Sequence, residues 1–326
     1  MVKLCCAVIK PRKDKTVPQD KASRNKTIDL SIEESAEFIS RCLKPDSRSE
    51  ELPLSSIVDR TLLGDCFNIL PRFPKNSFDL AIIDPPYNMR KSFNGKLFSK
   101  KSFEEYEEYT RRWLTLLAPL MKKTASIYVC CDWESSLVIG RVLSEFFTVR
   151  NRITWQREKG RGAQSNWKNG MEDIWFATVS DDYTFNIEDV KIKRKVIAPY
   201  RKDGVPKDWS EGESGEKFRL TCPSNFWDDI TVPFWSMPEN TAHPTQKPEK
   251  LLAKLILASS NEGDVVLDTF MGSGSTCVTA KKLGRRFVGI EFDEQYSAWA
   301  QLRLERAETD NSIQGYSDGV FKERNS

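Results

Sequence analysis

Residues 265–276 read Val-Val-Leu-Asp-Thr-Phe-Met-Gly-Ser-Gly-Ser-Thr, an apolar strand that enters a glycine-rich turn and then a helix. Few folds accept that order. Glycines let the backbone come close to a ligand, and the helix start offers unpaired N–H groups. A second apolar run, Phe287–Glu291, ends in an acid about twenty residues on, where a carboxylate can hold a ribose. The pattern predicts a nucleoside cofactor, with a purely structural glycine turn as the alternative. The third glycine of a dinucleotide fingerprint is absent, since Cys277 stands there. No lysine occupies the turn as a phosphate-binding loop requires. A nucleoside without a pyrophosphate is favoured.

Short apolar runs alternate with helical stretches from Val58 onward, which is an α/β signature. Strands are expected at Phe78–Ile83, Ser126–Cys131, Ile153–Trp155, Val265–Asp268 and Phe287–Glu291. Helices are expected from Ser102 to about Pro119, at Leu137–Phe147, Pro248–Ala258 and Cys277–Leu283. Residues 158–240 lose this rhythm and read as an insertion. The chain therefore divides into an N-terminal extension (1–57), a first α/β half (58–157), the insertion (158–240), a second α/β half (241–310) and a polar, frayed tail (311–326). The extension is basic through Lys3, Lys10, Arg12, Lys13, Lys15, Lys21, Arg24 and Lys26. It ends in a helix started by Ser31 and Glu34, with Ile32, Ala36, Ile39 and Leu43 expected on its packed face.

Composition narrows the chemistry. The 326 residues carry a net charge of only +3, so any nucleic-acid surface must come from local segregation of charge. Eight cysteines form no CxxC pair and read as reduced thiols. A single histidine, His243, excludes a His-rich metal site, and no metal is expected. No apolar run reaches the roughly 20 residues of a membrane helix. The expectation is a soluble, cytoplasmic protein with no membrane partner.

The sharpest motif is Asp84-Pro85-Pro86-Tyr87, which follows the apolar run Leu80–Ile83. Two prolines stiffen the turn and remove donors. Asp84 and the Pro85 carbonyl can then accept both hydrogens of one exocyclic amine on a ring stacked against Tyr87. That aims the amine's lone pair at an electrophile. A strand-ending proline turn with a surface aspartate is the plain alternative.

In this order the motifs resemble the β group of amino-methylating, S-adenosylmethionine-dependent DNA methyltransferases. Asp84–Tyr87 comes first, the irregular insertion second and Phe270–Gly274 third. Gly64-Asp65-Cys66 and His243–Pro248 also resemble that group's motifs, and the likeness spans about residues 58–305. It implies a Rossmann-like fold with a mostly parallel sheet, a permuted motif order and an inserted target-recognition region. It implies S-adenosylmethionine held by Phe270, Gly272, Ser273, Gly274 and Ser275 at its methionine part and by Glu291, with Phe292 in the same set, at its ribose. Asp65 and Cys66 lie at the adenine, and His243 and Lys247 near the cofactor carboxylate. Asp84, with Pro85, Pro86 and Tyr87, becomes the catalytic set and also borders the cofactor.

The target base is expected to leave double-stranded DNA and stack on Tyr87. Asp in the first position resembles the N6-adenine enzymes, whereas many N4-cytosine enzymes carry Ser. A C5-cytosine enzyme would need Pro-Cys in this turn, and Cys222-Pro223 has the reverse order. DNA contacts are expected at Arg90 and Lys91 after the turn and at Lys159, Arg161, Asn166, Lys168 and Asn169 in the insertion, where such side chains read base edges or neutralise phosphates. The resemblance is compatible with a homodimer and with a cognate restriction endonuclease as functional partner. A nicotinamide oxidoreductase leaves Asp84–Tyr87 unexplained. A non-catalytic DNA-binding regulator is the remaining different class.

Overall fold

The computed structural model describes residues 23–45, 51–89, 91–93, 96–157, 165–197 and 200–324. Its centre is an eight-stranded sheet. In chain order the strands are β1 (Arg60–Leu63), β2 (Phe78–Ile83), β3 (Met121–Cys131), β4 (Thr148–Gln156), β5 (Met171–Thr178), β6 (Phe226–Trp227), β7 (Val265–Asp268) and β8 (Arg286–Glu291). They lie side by side as β1-β8-β7-β2-β3-β5-β4-β6. Every neighbouring pair is parallel except the two that involve β5. The two halves of the chain interleave at β7 and β2, where Val266 pairs with Leu80 and Leu267 with Ala81. The carboxyl ends of β1, β8, β7 and β2 therefore line up along one edge, where parallel α/β sheets bind ligands.

Capping boxes start α1 (Ile32–Ser40) and α2 (Phe103–Leu117), where Ser31 and Ser102 accept from the amides of Glu34 and Glu105. A third helix, α3 (Trp133–Leu143), starts earlier than its apolar pattern, at the Asp132 cap. Burial follows from covering both faces of the sheet. Along β2, Ala81 and Ile83 face one core, with Trp113, Leu114 and Leu117 of α2 and Ile139 and Val142 of α3. Leu80 and Ile82 face the other, with Leu251, Leu255 and Ile256 of α4 (Glu249–Ser259) and Cys277 and Val278 of α5 (Ser275–Lys282). A last helix, α6 (Glu294–Arg306), closes this side.

Two stretches pair in ways their sequence pattern does not show. β5 lies inside the 158–240 stretch, yet it sits between β3 and β4 in the main sheet. Its pattern hides an acid, Glu172, that the fold buries. The tail is not frayed over its described part. Val320–Lys322 pairs in parallel with Ile192–Lys195 of the insertion, and Phe321 is fully buried. Together with Lys217–Thr221, Ser210–Glu211 and Tyr316–Ser317 they form a five-stranded sheet. That sheet packs on α4 through Ile192, Ala253, Leu257 and Phe321. Asp229, just after β6, accepts from two lysines of α4, from Lys254 at 2.8 Å on each oxygen and from Lys250 at 3.2 Å.

α1 buries Ser35 and Phe38, while Ile32 is exposed, so its packed face is rotated from the expected one. It lies against α6, where Gln295 Nε2 donates to Ser35 Oγ at 3.3 Å. Upstream, Lys26 and Ile28 donate their amides to the Trp235 and Asn240 carbonyls, just before His243. No helix among the described residues is long and apolar enough to cross a membrane.

Candidate active site

A cavity of about 390 Å³ opens at the carboxyl edge of β1, β8, β7 and β2. That volume falls in the range of about 300–1,000 Å³ usual for small-molecule sites. Asp65, Cys66, Asp84, Pro85, Pro86, Tyr87, His243, Lys247, Phe270, Gly272, Ser273, Ser275, Glu291 and Phe292 line it. The expected cofactor and catalytic residues thus meet from five separate stretches of chain. Gly274 is the exception. A Cβ there would lie 2.7 Å from the Ala300 Cβ, so this glycine lets α5 approach α6. Gly272 does face the ligand side. It adopts φ +54°, and an added Cβ would lie 3.1 Å from His243 Nε2. His243 packs edge-on against Tyr296 at 4.4 Å.

The glycine turn is held in shape by acids. Glu291 Oε2 accepts from the Gly272 amide at 2.7 Å, and its Oε1 accepts from the Asp293 amide at 2.8 Å. Burial raises the Glu291 pKa. Asp268, at the end of β7, accepts from the Phe270 amide at 3.0 Å, and burial pushes its carboxyl up to about 7. Arg303 of α6 lies beneath the turn and donates to the Ser273 carbonyl at 2.8 Å and to Ser275 Oγ at 2.9 Å. Its other end pairs with Glu249 at 2.9 Å. Asp65 caps the short helix Cys66–Ile69 through the Phe67 amide at 3.0 Å. Burial pushes the Cys66 thiol up to about 12 and the Cys130, Cys131 and Cys277 thiols well above their ordinary value. None of these four is poised as a nucleophile.

The Asp-Pro-Pro-Tyr turn follows directly from β2. Tyr106 of α2 donates to the Pro86 carbonyl at 3.1 Å, and Asn88 donates its amide to Ser135 Oγ at 3.0 Å. The Asn88 side chain also exchanges hydrogen bonds with the Lys101 backbone, closing the base of the connecting loop. Asp84 is doubly engaged. Its Oδ1 accepts from the Tyr87 hydroxyl at 2.8 Å and its Oδ2 from Lys247 Nζ at 2.7 Å. Lys247 also donates to the Tyr87 oxygen at 2.9 Å and pairs with Glu172 at 3.3 Å. The resemblance implies a place for Lys247 near the cofactor carboxylate; it lines the cavity and is paired there with Asp84. Burial works to lower the Lys247 pKa, yet the charges of Asp84 and Glu172 outweigh it and raise it. Burial first, then the charges of Asp84 and Glu172, lifts the Tyr87 phenol well above its ordinary value. Tyr87 is therefore turned inward as a hydrogen-bond donor.

Four lining or supporting residues escape the sequence reading. Asp268 stands directly before the glycine turn, and its place at a strand end is a legible signal. Tyr296 and Arg303 lie on α6, a helix not expected at all. Glu172 lies 85 residues from Tyr87 with no motif around it. The expected DNA-contact residues lie elsewhere. Asn166, Lys168 and Asn169 are exposed beside Trp167, outside the cavity. Lys91 begins the first strand of a short hairpin, Lys91–Phe93 with Lys96–Phe98. Arg90, Lys159 and Arg161 lie outside the described residues. The basic run at 191–195 is partly neutralised, with Lys191 paired to Glu188, Lys193 to Glu216 and Arg194 to Glu323. Among the described residues, no group of three or more His, Cys, Asp or Glu is arranged to hold a metal.

A Rossmann-like sheet with a nucleoside-sized cavity between a glycine turn and two strand-end acids is the arrangement expected of an S-adenosylmethionine-dependent methyltransferase. Residues 78–302 match the N6_N4_Mtase family, described as DNA methylase, and the chain belongs to that family. It is 34% identical to the DNA adenine methyltransferase YhdJ of Escherichia coli, over 75% of this chain and 82% of that one. It is 31% identical to the Type II methyltransferase M.HpaI of Haemophilus parainfluenzae, over 76% and 74% of the two chains. The fold is similar to PvuII DNA methyltransferase, cytosine-N4-specific, with a TM-score of 0.58 at 18% identity over 78% of this chain and 88% of that one. It is also similar to a Thermus thermophilus protein solved in complex with S-adenosyl-L-methionine, with a TM-score of 0.53 at 20% identity over 82% and 98%.

Proposed function

We propose that this DNA methyltransferase acts on the exocyclic N6 amine of adenine, with Asp84 as the group that accepts the amine's hydrogen. The observation that carries the reading is the position of Asp84. A carboxylate, not a serine, directly follows β2 on the wall of the same cavity as the glycine turn. The similarity to a chain named as an adenine methyltransferase supports the same base.

When bound, S-adenosylmethionine supplies a methyl group on a positively charged sulfur. Gly272, Ser273, Ser275 and Phe270 would cradle it, Glu291 would hold its ribose and Asp65 its adenine. Asp84 accepts an N–H of the flipped base and orients the nitrogen lone pair toward the methyl. Methyl transfer would leave the nitrogen with a proton to lose, which Asp84 or solvent would take up. Lys247 keeps the Asp84 carboxylate fixed before the base arrives. With their raised thiols, Cys66, Cys130, Cys131 and Cys277 supply no covalent step.

Asn166, Lys168 and Asn169, with the exposed Trp167, would read or hold the duplex from the insertion. The Type II name of M.HpaI supports a functional pairing with a restriction endonuclease. Protection of methylated DNA from a partner nuclease would test that pairing.

The direct test of the site is Asp84→Asn. Methyl transfer should fall by at least about 100-fold, a loss typical of a group that acts in the transition state, while S-adenosylmethionine still binds. Retained transfer would remove Asp84 from the chemistry.

A further inference from the structure

One buried carboxylate touches the catalytic cluster without a role in the reading above. Glu172 comes from β5 and its side chain is 3% exposed. Oε1 is paired with Arg157. Oε2 lies 3.3 Å from Lys247 Nζ and 3.4 Å from the Tyr87 hydroxyl. The same hydroxyl donates to Asp84 Oδ1 at 2.8 Å, while Lys247 takes Oδ2 at 2.7 Å.

Both Asp84 oxygens therefore already have donors. A substrate amine that donates to Asp84 must share or displace one of them. Lys247 is held by Asp84, Tyr87 and Glu172 together, so it is the harder to move. The Tyr87 hydroxyl is the easier, because a second acceptor stands within reach. A buried hydroxyl left without an acceptor would resist the exchange.

We propose that Glu172 is a positioning residue for methyl transfer. It fixes the Lys247 ammonium against Asp84, and it receives the Tyr87 hydroxyl when the substrate amine takes Asp84 Oδ1. Arg157 balances its charge from the far side. The proposal rests on Asp84 being the amine acceptor. Glu172 is not among the residues that line the cavity, so its effect should appear in turnover and not in cofactor affinity.

The test compares Glu172→Gln, Tyr87→Phe and the double variant by single-turnover methyl transfer and by S-adenosylmethionine titration. Glu172→Gln keeps the shape, loses the charge and leaves one acceptor oxygen, for which Arg157 and the Tyr87 hydroxyl must compete. Its turnover should fall about 100-fold, as expected when a reacting group is misplaced, with cofactor Kd within about twofold. Glu172→Asp should recover part of that loss. In the Tyr87→Phe background no hydroxyl needs an acceptor, so the loss on adding Glu172→Gln should shrink to about tenfold or less, the non-additivity of residues in one network.

Wild-type turnover in Glu172→Gln, full additivity with Tyr87→Phe, or an equal loss of cofactor affinity would each overturn the proposal. If Glu172→Gln does not fold, Arg157→Gln leaves the carboxylate in place and removes its support. It should lower turnover at unchanged cofactor affinity, and wild-type turnover there would also overturn the proposal. Asp84→Asn run in parallel separates the two claims. If Asp84→Asn remains active, the reading of Asp84 fails. If Asp84→Asn is inactive and Glu172→Gln turns over normally, only the role of Glu172 fails.

Discussion

Lys247 shows how one side chain changes meaning once its neighbours are known. Its place within His243–Pro248 implies a position near the cofactor, and in the fold its nitrogen also pairs with Asp84 and Glu172. Removing it leaves two carboxylates together with one cation, Arg157, at the far side. Lys247→Met should destabilise the protein by about 3 kcal/mol, the usual cost of breaking a buried ion pair. A melting temperature within a degree or so of wild type would contradict that.

Burial raises Asp268 from 3.8 to about 7. It also raises Glu239 from 4.5 to about 7, with the Glu249 charge adding to it. A folded-state pKa above the unfolded value favours the protonated form of the folded protein. The stability contributed is fully present below about pH 4 and is lost as pH rises through about 7. Denaturant titrations at about pH 5 and about pH 8 should show that decline, and Asp268→Asn should flatten part of it. An identical decline in the variant would remove Asp268 as a cause. At this scale the contiguous motifs were legible, because a tight turn is dictated by its own residues. Glu172 and Arg303 were not, because their partners lie 85 and 30 residues away and are chosen by the fold.

Among the elements, the strands and helices that flank the two motifs fall where the apolar patterns place them, since those patterns are buried on both faces. β5 and α6 were hidden for opposite reasons. β5 carries two acids and follows an irregular stretch, and α6 is polar along much of its length. The packed face of α1 was misread because α6 accepts Ser35 and Phe38, leaving Ile32 in solvent.

The two glycines of the turn should separate in experiment. Gly274→Ala at φ +80° meets Ala300 and should cost about 1–2 kcal/mol or more of stability from the left-handed backbone alone. Gly272→Ala instead meets His243 on the cavity wall and should weaken S-adenosylmethionine binding more than it lowers the melting temperature. Equal effects of both changes on affinity and stability would contradict this division.

For the whole molecule, a net charge of +3 gives no general attraction to DNA, so binding must rest on exposed local groups. The insertion does not stand apart. Its strands share a sheet with the C-terminal residues and pack on α4, which also borders the methyltransferase core. That sharing could not be read from sequence, because it joins stretches more than a hundred residues apart. If Lys168 neutralises one phosphate, Lys168→Ala should reduce the salt dependence of DNA binding by about 0.9 in log–log slope. Asn166→Ala should instead relax sequence preference. An unchanged salt slope in Lys168→Ala would move the phosphate contact elsewhere.

The central claim is the identity of the methylated atom. Wild-type protein would be incubated with S-adenosylmethionine and mixed-sequence duplex DNA, and the nucleosides separated by mass spectrometry. N6-methyladenine, absent with Asp84→Asn, is the expected product. N4-methylcytosine as the sole product would keep the fold and the cofactor but contradict the assignment of adenine to this site.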